Sequence, residues 1–257
     1  MAPIISAQEL HRSFDGVDVL VGASLDIEEG ETIALVGRSG DGKTVFLKHL
    51  AGLLQPQRGH VLVEGEDMCR LHGRRLRELR SRLGYVFQGG ALFQSMTVFD
   101  NVAFPLREKT DLSEKKIRER VERELARVDL QGSENKYPAQ ISGGMVKRVA
   151  LARSLVREAK IMFLDEPTTG LDPVIVRDIH DLIRSLRDDL GLTIIIVTHE
   201  IPNIFPTVDR VAMLHEGVIR FQGTPEEIME SEDAVVREFV QGCMPPERYR
   251  IKANSTD

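Results

Sequence analysis

Cysteine is scarce in this chain, membrane-length apolar runs are absent and positive charge is not in excess, and each shortage removes a class of function. Only Cys69 and Cys243 occur among 257 residues, far apart and outside any metal-ligand spacing. Neither a disulfide framework nor a cysteine metal site is expected, and the two thiols fit a reducing compartment. Apolar runs such as Ile194-Ile195-Ile196-Val197 stop far short of the roughly 20 residues needed to cross a bilayer. The first residues, Met1 to Ser6, have neither the basic start nor the apolar core of a secretory signal, so the chain is expected to stay in the compartment where it is made. With 34 Lys and Arg against 40 Asp and Glu, the formal net charge of -6 provides no overall positive field for a phosphate polymer, and no nucleic acid partner is expected. We find no internal repeat and no low-complexity linker.

What is present is a hydrophobic fraction of 42% over 257 residues, enough to bury the core of one large domain or two closely packed lobes. Short strands come first. The segments Ile4 to Leu10, Val17 to Val21 and Ala23 to Ile27, broken by Asp15-Gly16 and Glu29-Gly30, predict an antiparallel layer. Thr32-Ile33-Ala34-Leu35-Val36 is then almost continuously apolar, as is a parallel strand covered on both faces. Ile161-Met162-Phe163-Leu164 and Thr193-Ile194-Ile195-Ile196-Val197 look the same, and each ends in polar residues where an α/β sheet exposes its carboxyl edge to ligands. Val174 to Leu190 reads as the crossover helix between them, capped by Asp172-Pro173 and stopped by Gly191. The core is therefore α/β and doubly wound.

From Gly89 to Val156 the texture changes. Ile117, Val121, Leu125 and Val128 mark one face of a charged helix, with Asp111 and Glu114 spaced as its capping box. Met213 to Ile219 reads as a hairpin, and Thr224-Pro225-Glu226-Glu227 opens a further helix with capping-box spacing. The expected organisation is a core of residues 1–88 and 157–240, a helical subdomain at 89–156, and a polar tail at 241–257.

Two motifs carry chemistry. Gly37-Arg38-Ser39-Gly40-Asp41-Gly42-Lys43-Thr44 follows the first parallel strand and opens a helix, the context that a Walker A phosphate loop requires. Its glycines let backbone N–H groups turn inward as an anion nest, and the helix N-terminus favours phosphate. Lys43 would reach the β- and γ-phosphates and Thr44 would place its hydroxyl on Mg²⁺. The run ending at Asp165-Glu166 delivers two carboxylates to the sheet edge: Asp165 to order the Mg²⁺ shell, through water, and Glu166 to polarise the attacking water as general base. His199, just past the next strand, is placed to sense the γ-phosphate.

Ile141-Ser142-Gly143-Gly144-Met145 then matches a signature, and with it the chain resembles the ATP-binding subunit of an ABC transporter: a P-loop NTPase core of RecA type with an antiparallel β layer and an inserted α-helical subdomain. In that resemblance Gln88 is the Q-loop glutamine and a further Mg²⁺ ligand, Asp172 closes the D-loop Gly170-Leu171-Asp172, His199 is the switch histidine, and Phe14 stacks on adenine, core packing being the alternative for Phe14. Ser142-Gly143-Gly144 precedes a helix with Met145, Val149 and Ala152 on one side, and its free N–H groups make a second anion site. The resemblance implies a head-to-tail homodimer in which one subunit's signature closes over the ATP on the other's Walker A. Met145 stands where most of the family has glutamine, and Ile141 replaces the common leucine; neither removes an essential donor.

Two stretches are similar to a narrower group, the ATPases of bacterial Mla or Mce-type phospholipid transport: Phe87 to Leu106, and the signature with its methionine. This implies a phospholipid cargo, an integral-membrane permease, an MCE-type lipid-binding protein, and a peripheral position on the cytoplasmic face of the bacterial inner membrane. Leu92, Phe93, Met96 and Phe99 are candidates for an apolar permease contact, with burial inside the helical subdomain as the alternative. The same motor serving an amino acid, metal or lipoprotein is the competing reading. A clamp or ribosome-binding ATPase lacks support, because the chain has no long heptad run and no second nucleotide domain, and a P-loop kinase would leave the signature and His199 without a role.

Overall fold

The computed structural model describes residues 2–244. In chain order these form β1 (Ile5–Phe14), β2 (Val17–Ile27), β3 (Thr32–Val36), α1 (Lys43–Leu50), β4 (Arg58–Val63), β5 (Glu66–Asp67), α2 (Gly73–Ser81), β6 (Leu83–Val86), α3 (Val98–Lys109), α4 (Glu114–Arg127), α5 (Gly143–Leu155), β7 (Ile161–Asp165), α6 (Pro173–Leu190), β8 (Thr193–Val197), α7 (Ile201–Ile204), β9 (Arg210–His215), β10 (Val218–Gly223), α8 (Pro225–Met229) and α9 (Ala234–Cys243). They fall into two compact units. Among the described residues one comprises 2–69 and 197–244, the other Arg70–Ile196. Of the expected tail, residues up to Cys243 complete α9, and residues 245–257 lie outside the described residues.

In the first unit an antiparallel sheet has the order β2-β1-β4-β5, and Ile5 pairs with both Ile27 and Val63. The two strands expected at Val17 to Val21 and Ala23 to Ile27 are one. Gly22 sits at φ 105 and is the extra residue between the pairs Leu10↔Ala23 and His11↔Val21, so it makes a bulge and the ladder resumes beyond it. A second bulge at Gln8-Glu9 presses on β4: a Cβ on Gly59 would lie 2.4 Å from the Gln8 carbonyl and 2.3 Å from that of Glu9. Only glycine lets the strands approach there.

The same unit holds β3, buried at every residue, which pairs in parallel with β9. The β9–β10 hairpin turns at Glu216-Gly217, both at positive φ (47 and 76), the backbone that a tight two-residue hairpin turn demands. Thr224 and Glu227 complete the expected capping box of α8.

The second unit carries the strand order β8-β7-β6, with β6 and β7 parallel from Leu83↔Ile161 to Val86↔Leu164. α6 begins where its sequence signals place it: the Asp172 carboxylate accepts from the amides of Val174 (3.1 Å) and Ile175 (3.2 Å), and Gly191 ends it at φ 62. Leu106, Val121, Leu125 and Val128 form a fully buried cluster on and after α3 and α4, each side chain contributing about 1.5–3 kcal/mol by leaving water. The expected capping box of α4 does not form. Ser113 is the N-cap residue, and the Glu114 carboxylate instead accepts from Nε and Nη2 of Arg107 (3.0 and 2.9 Å), because a bidentate charged partner outcompetes one backbone amide. α5 is also buried more widely than a single apolar side: Val149, Ala150, Leu151 and Ala152 are consecutive core residues, while Met145 is only half-buried.

Candidate active site

The phosphate loop lies in the first unit, between the carboxyl end of β3 and α1. Gly37, at φ 149, passes so close to β9 that a Cβ would meet the Leu214 carbonyl at 2.3 Å, and one on Gly42, at φ 97, would meet Val19 Cγ1 at 2.8 Å. Gly40 has open space and is needed only for its φ of 91. Within this curl the Arg38 amide donates to the Asp41 carboxylate (2.9 Å), and Ser39 is exposed. Lys43, the first residue of α1, is buried, and its ammonium donates to the carbonyls of Gly37 (2.9 Å) and Arg38 (2.8 Å). Thr44 follows in the first helical turn. The Arg38 side chain reaches Glu238 on α9 at 2.8 Å with both largely exposed, a pair of small energetic weight.

His199 is exposed two residues beyond β8, where the amide of Thr198 ties the chain to the Leu35 carbonyl at 3.3 Å. Phe14 is 39% exposed with the Arg12 guanidinium 4.6 Å above its ring, so core packing does not describe it.

The carboxylates lie in the second unit. β7 carries Asp165, 5% exposed, to hydrogen-bonding distance of the Tyr85 hydroxyl on β6 (3.1 Å). Burial, then the Asp165 charge, push the Tyr85 phenol far above its ordinary range, so it stays a donor. Glu166 takes the left-handed conformation, φ 47, a strain of about 1–3 kcal/mol that surrounding contacts must offset. Its carboxylate accepts from Gln88 Nε2 and from Thr169 Oγ1, each at 2.8 Å. The expected general base and the expected Q-loop glutamine are thus brought together.

Behind them Lys147 of α5 donates to the Gln88 carbonyl and lies 3.5 Å from that of Glu166. Burial lowers its ammonium below the usual lysine range, against the pull of the Glu166 charge.

Ser142 caps α5, its hydroxyl accepting from the Met145 amide at 3.3 Å, and both Ser142 and Gly143 are exposed. Gly144 is where α5 meets α6: a Cβ there would come within 2.7 Å of Ile175 Cγ2, and one on Gly143 within 3.2 Å of Leu171 Cδ2. The signature glycines therefore serve close packing as well as free amides. Asp172 spends its carboxylate on the α6 cap.

Tyr85, Lys147 and Thr169 were not singled out in the sequence. The available signals were a Lys-Arg pair interrupting the apolar run of α5 and a tyrosine inside an apolar strand. Each unit by itself offers hard oxygen donors of the kind Mg²⁺ prefers, the Thr44 hydroxyl in the first and the Asp165 carboxylate and Gln88 amide in the second, and Mg²⁺ keeps waters and substrate phosphates beside its few protein ligands. Side chains at Gly37 and Gly42 would collide with Leu214 and Val19, so the curl of the loop depends on glycine at both positions.

A family model described as ABC transporter matches residues 20–169, more than half of the chain. A probable ribonucleotide transport ATP-binding protein, mkl, of Mycobacterium leprae is 44% identical over 243 residues, covering 94% of this chain and 70% of that protein. The intermembrane phospholipid transport system ATP-binding protein MlaF of Haemophilus influenzae is 40% identical over 231 residues, covering 90% and 88%. Among solved structures, the dimeric post-hydrolysis state of the ATP-binding cassette MJ0796 bound to ADP and Pi superposes with a TM-score of 0.79 at 28% identity, over 86% of this chain and 98% of that one.

Proposed function

The chain belongs to the ABC transporter family and hydrolyses ATP for transport, and from that premise we propose that its cargo is phospholipid, moved by a membrane permease on which it docks. The observation that carries the cargo is the similarity to MlaF over most of both chains. In this reading Lys43 and the loop amides hold the phosphates, and Thr44 and Gln88, with Asp165 through water, would hold Mg²⁺, which would supply positive charge to the phosphoryl oxygens. Glu166 takes the proton of the attacking water, His199 contacts the γ-phosphate and Phe14 stacks on adenine. Two copies work head to tail, with Ser142, Gly143, Gly144 and the D-loop Asp172 of one copy facing the nucleotide of the other; the dimeric state of MJ0796 with ADP and Pi supports the pairing.

No helix among the described residues is long and apolar enough to cross a membrane, and the permease supplies attachment at the cytoplasmic face of the bacterial inner membrane. The contact sits after Gln88. Phe87 (39% exposed) and Phe93 (42%) line a cleft of about 350 Å³ with Leu83, Phe104 and Pro105. Leu92 and Phe99, expected in that patch, are buried instead: Asn101 pins the loop by accepting from the Phe93 amide (2.8 Å) and turns Leu92 inward, and Arg118 covers the Phe99 ring at 5.0 Å.

The name of mkl, at 44% identity, favours a second reading with a ribonucleotide cargo. Purifying the chain with its permease and extracting what is bound separates the two. Co-purified phospholipid and an MCE-type lipid-binding subunit support the first, while a permease that binds nucleotides and no lipid rejects it. For the shared site, Ser142→Arg leaves ATP binding to the isolated subunit within about twofold but abolishes closure and turnover, since a bulky cation replaces a cap at an exposed helix start. Equal loss of binding and closure, read by equilibrium dialysis and size-exclusion chromatography, would contradict a site shared between copies.

A further inference from the structure

Lys147 stands five residues after Ser142 on the helix that the signature opens, yet only 6% of it is exposed. A buried ammonium needs acceptors. It has two, and both are backbone carbonyls: that of Gln88, after β6, and that of Glu166, after β7. The side chains of those two residues are themselves joined, Gln88 Nε2 donating to Glu166 Oε2 at 2.8 Å. A closed ring results, from Lys147 to the Gln88 backbone, through the Gln88 side chain to the Glu166 carboxylate, and from the Glu166 backbone back to Lys147. Glu166 is the member that most needs holding, because its φ of 47 belongs to a sparsely populated region for a side-chain-bearing residue.

We propose that Lys147 is a positioning residue that ties the signature helix to the general base and the Q-loop glutamine of its own chain. The helix is continuous from Ser142 to Lys147, about 7.5 Å at 1.5 Å per residue, so a displacement of its first turn is carried to the ammonium and from there to both carbonyls. The signature of one copy meets the nucleotide held by the other in the head-to-tail reading on which this inference rests. Lys147 therefore makes the alignment of Glu166 in one site depend on occupancy of the opposite site, and hydrolysis by the pair is cooperative through it.

Three variants test this: Lys147→Met, which keeps length without a donor; Lys147→Gln, which keeps one donor group; and Lys147→Arg, which keeps the charge. Expected for Lys147→Met are a kcat lower by roughly 10–100-fold with the KM for ATP within about twofold, the split that marks loss of an interaction used in turnover and not in binding, and a Hill coefficient falling toward one. Lys147→Arg recovers most of the rate, and Lys147→Gln lies between. A second measurement needs no nucleotide. Amide hydrogen exchange in the free chain rises by about tenfold at Gly90 and Thr169, whose amides donate to Phe87 (2.7 Å) and Glu166 (3.4 Å), because the opening free energy of these loops falls. Wild-type exchange at both amides together with unchanged kcat, in a Lys147→Met protein that melts normally, would overturn the proposal. Should Lys147→Met fail to fold, Lys147→Gln carries the same two readouts. If Ser142→Arg leaves closure intact, the dimer reading fails, whereas the exchange result still decides whether Lys147 holds the two loops.

Discussion

Replacing Glu166 by glutamine reduces steady-state phosphate release by about 10³-fold, within the range a positioned general base supplies, while ATP affinity stays within a few-fold of wild type and the ATP-bound pair accumulates closed. The side chain is held from two directions, by Gln88 Nε2 and Thr169 Oγ1 at 2.8 Å. Both are donors, so the carboxylate is fixed as an acceptor with its charge available to draw a proton from water. A carboxamide of the same size fits the same space at the same φ of 47, so the backbone strain and the fold are unaffected. What it loses is basicity: Gln88 and Thr169 both donate to the one oxygen Oε2, so the carboxamide turns its own oxygen there, keeps both bonds and places its NH₂ where the second carboxylate oxygen stood. Binding survives because the loop carrying Lys43 is untouched. Rapid-quench hydrolysis and size-exclusion chromatography with ATP read the two effects separately, and full turnover by the variant would remove Glu166 as the base.

The parts of this site that could be read in the sequence are those whose signals are local. Gly37 to Thr44 carries its own backbone demands at Gly37 and Gly42, the all-apolar β7 announces a buried strand before Asp165 and Glu166, and Asp172-Pro173 with Gly191 marks both ends of α6. Signals failed where a distant partner decides. Gly22 looked like a strand break, but the register with Leu10 and His11 makes it a bulge. Glu114 looked like a capping residue until Arg107, on the preceding helix, claimed it. Leu92 and Phe99 share the apolar character of Phe93, and only the fold of the loop around Asn101 sends them inward. The ring through Lys147 is of the same kind, since nothing in a lysine's sequence neighbours says that two carbonyls from separate loops will meet it.

Lys43→Ala should lose ATP affinity by about 10²–10³-fold, a loss of roughly 3–4 kcal/mol on the affinity scale, with little change in fold. Each hydrogen bond between an ammonium and a charged oxygen contributes about 1.5–3 kcal/mol, and in the proposed reading Lys43 makes two, to the β- and γ-phosphates. In the free chain its charge is satisfied by the Gly37 and Arg38 carbonyls at 2.9 and 2.8 Å, which hold the ammonium inside the curl of the loop. That arrangement means little reorganisation is required when phosphate arrives. It also predicts a graded loss across nucleotides: ATP suffers most, ADP less, and AMP almost not at all, because AMP has neither phosphate that Lys43 reaches. Lys43→Met separates charge from packing, since its stem fills the buried slot without a donor, and it should lose nearly as much ATP affinity as alanine while melting at the wild-type temperature. Arginine is not a rescue here, because Lys43 is buried with its ammonium between the Gly37 and Arg38 carbonyls, and a larger planar guanidinium cannot sit there as a compact point charge does. Equilibrium binding of the three nucleotides to each variant checks the series. Equal losses for ATP and AMP would mean that Lys43 supports the loop and not the terminal phosphates.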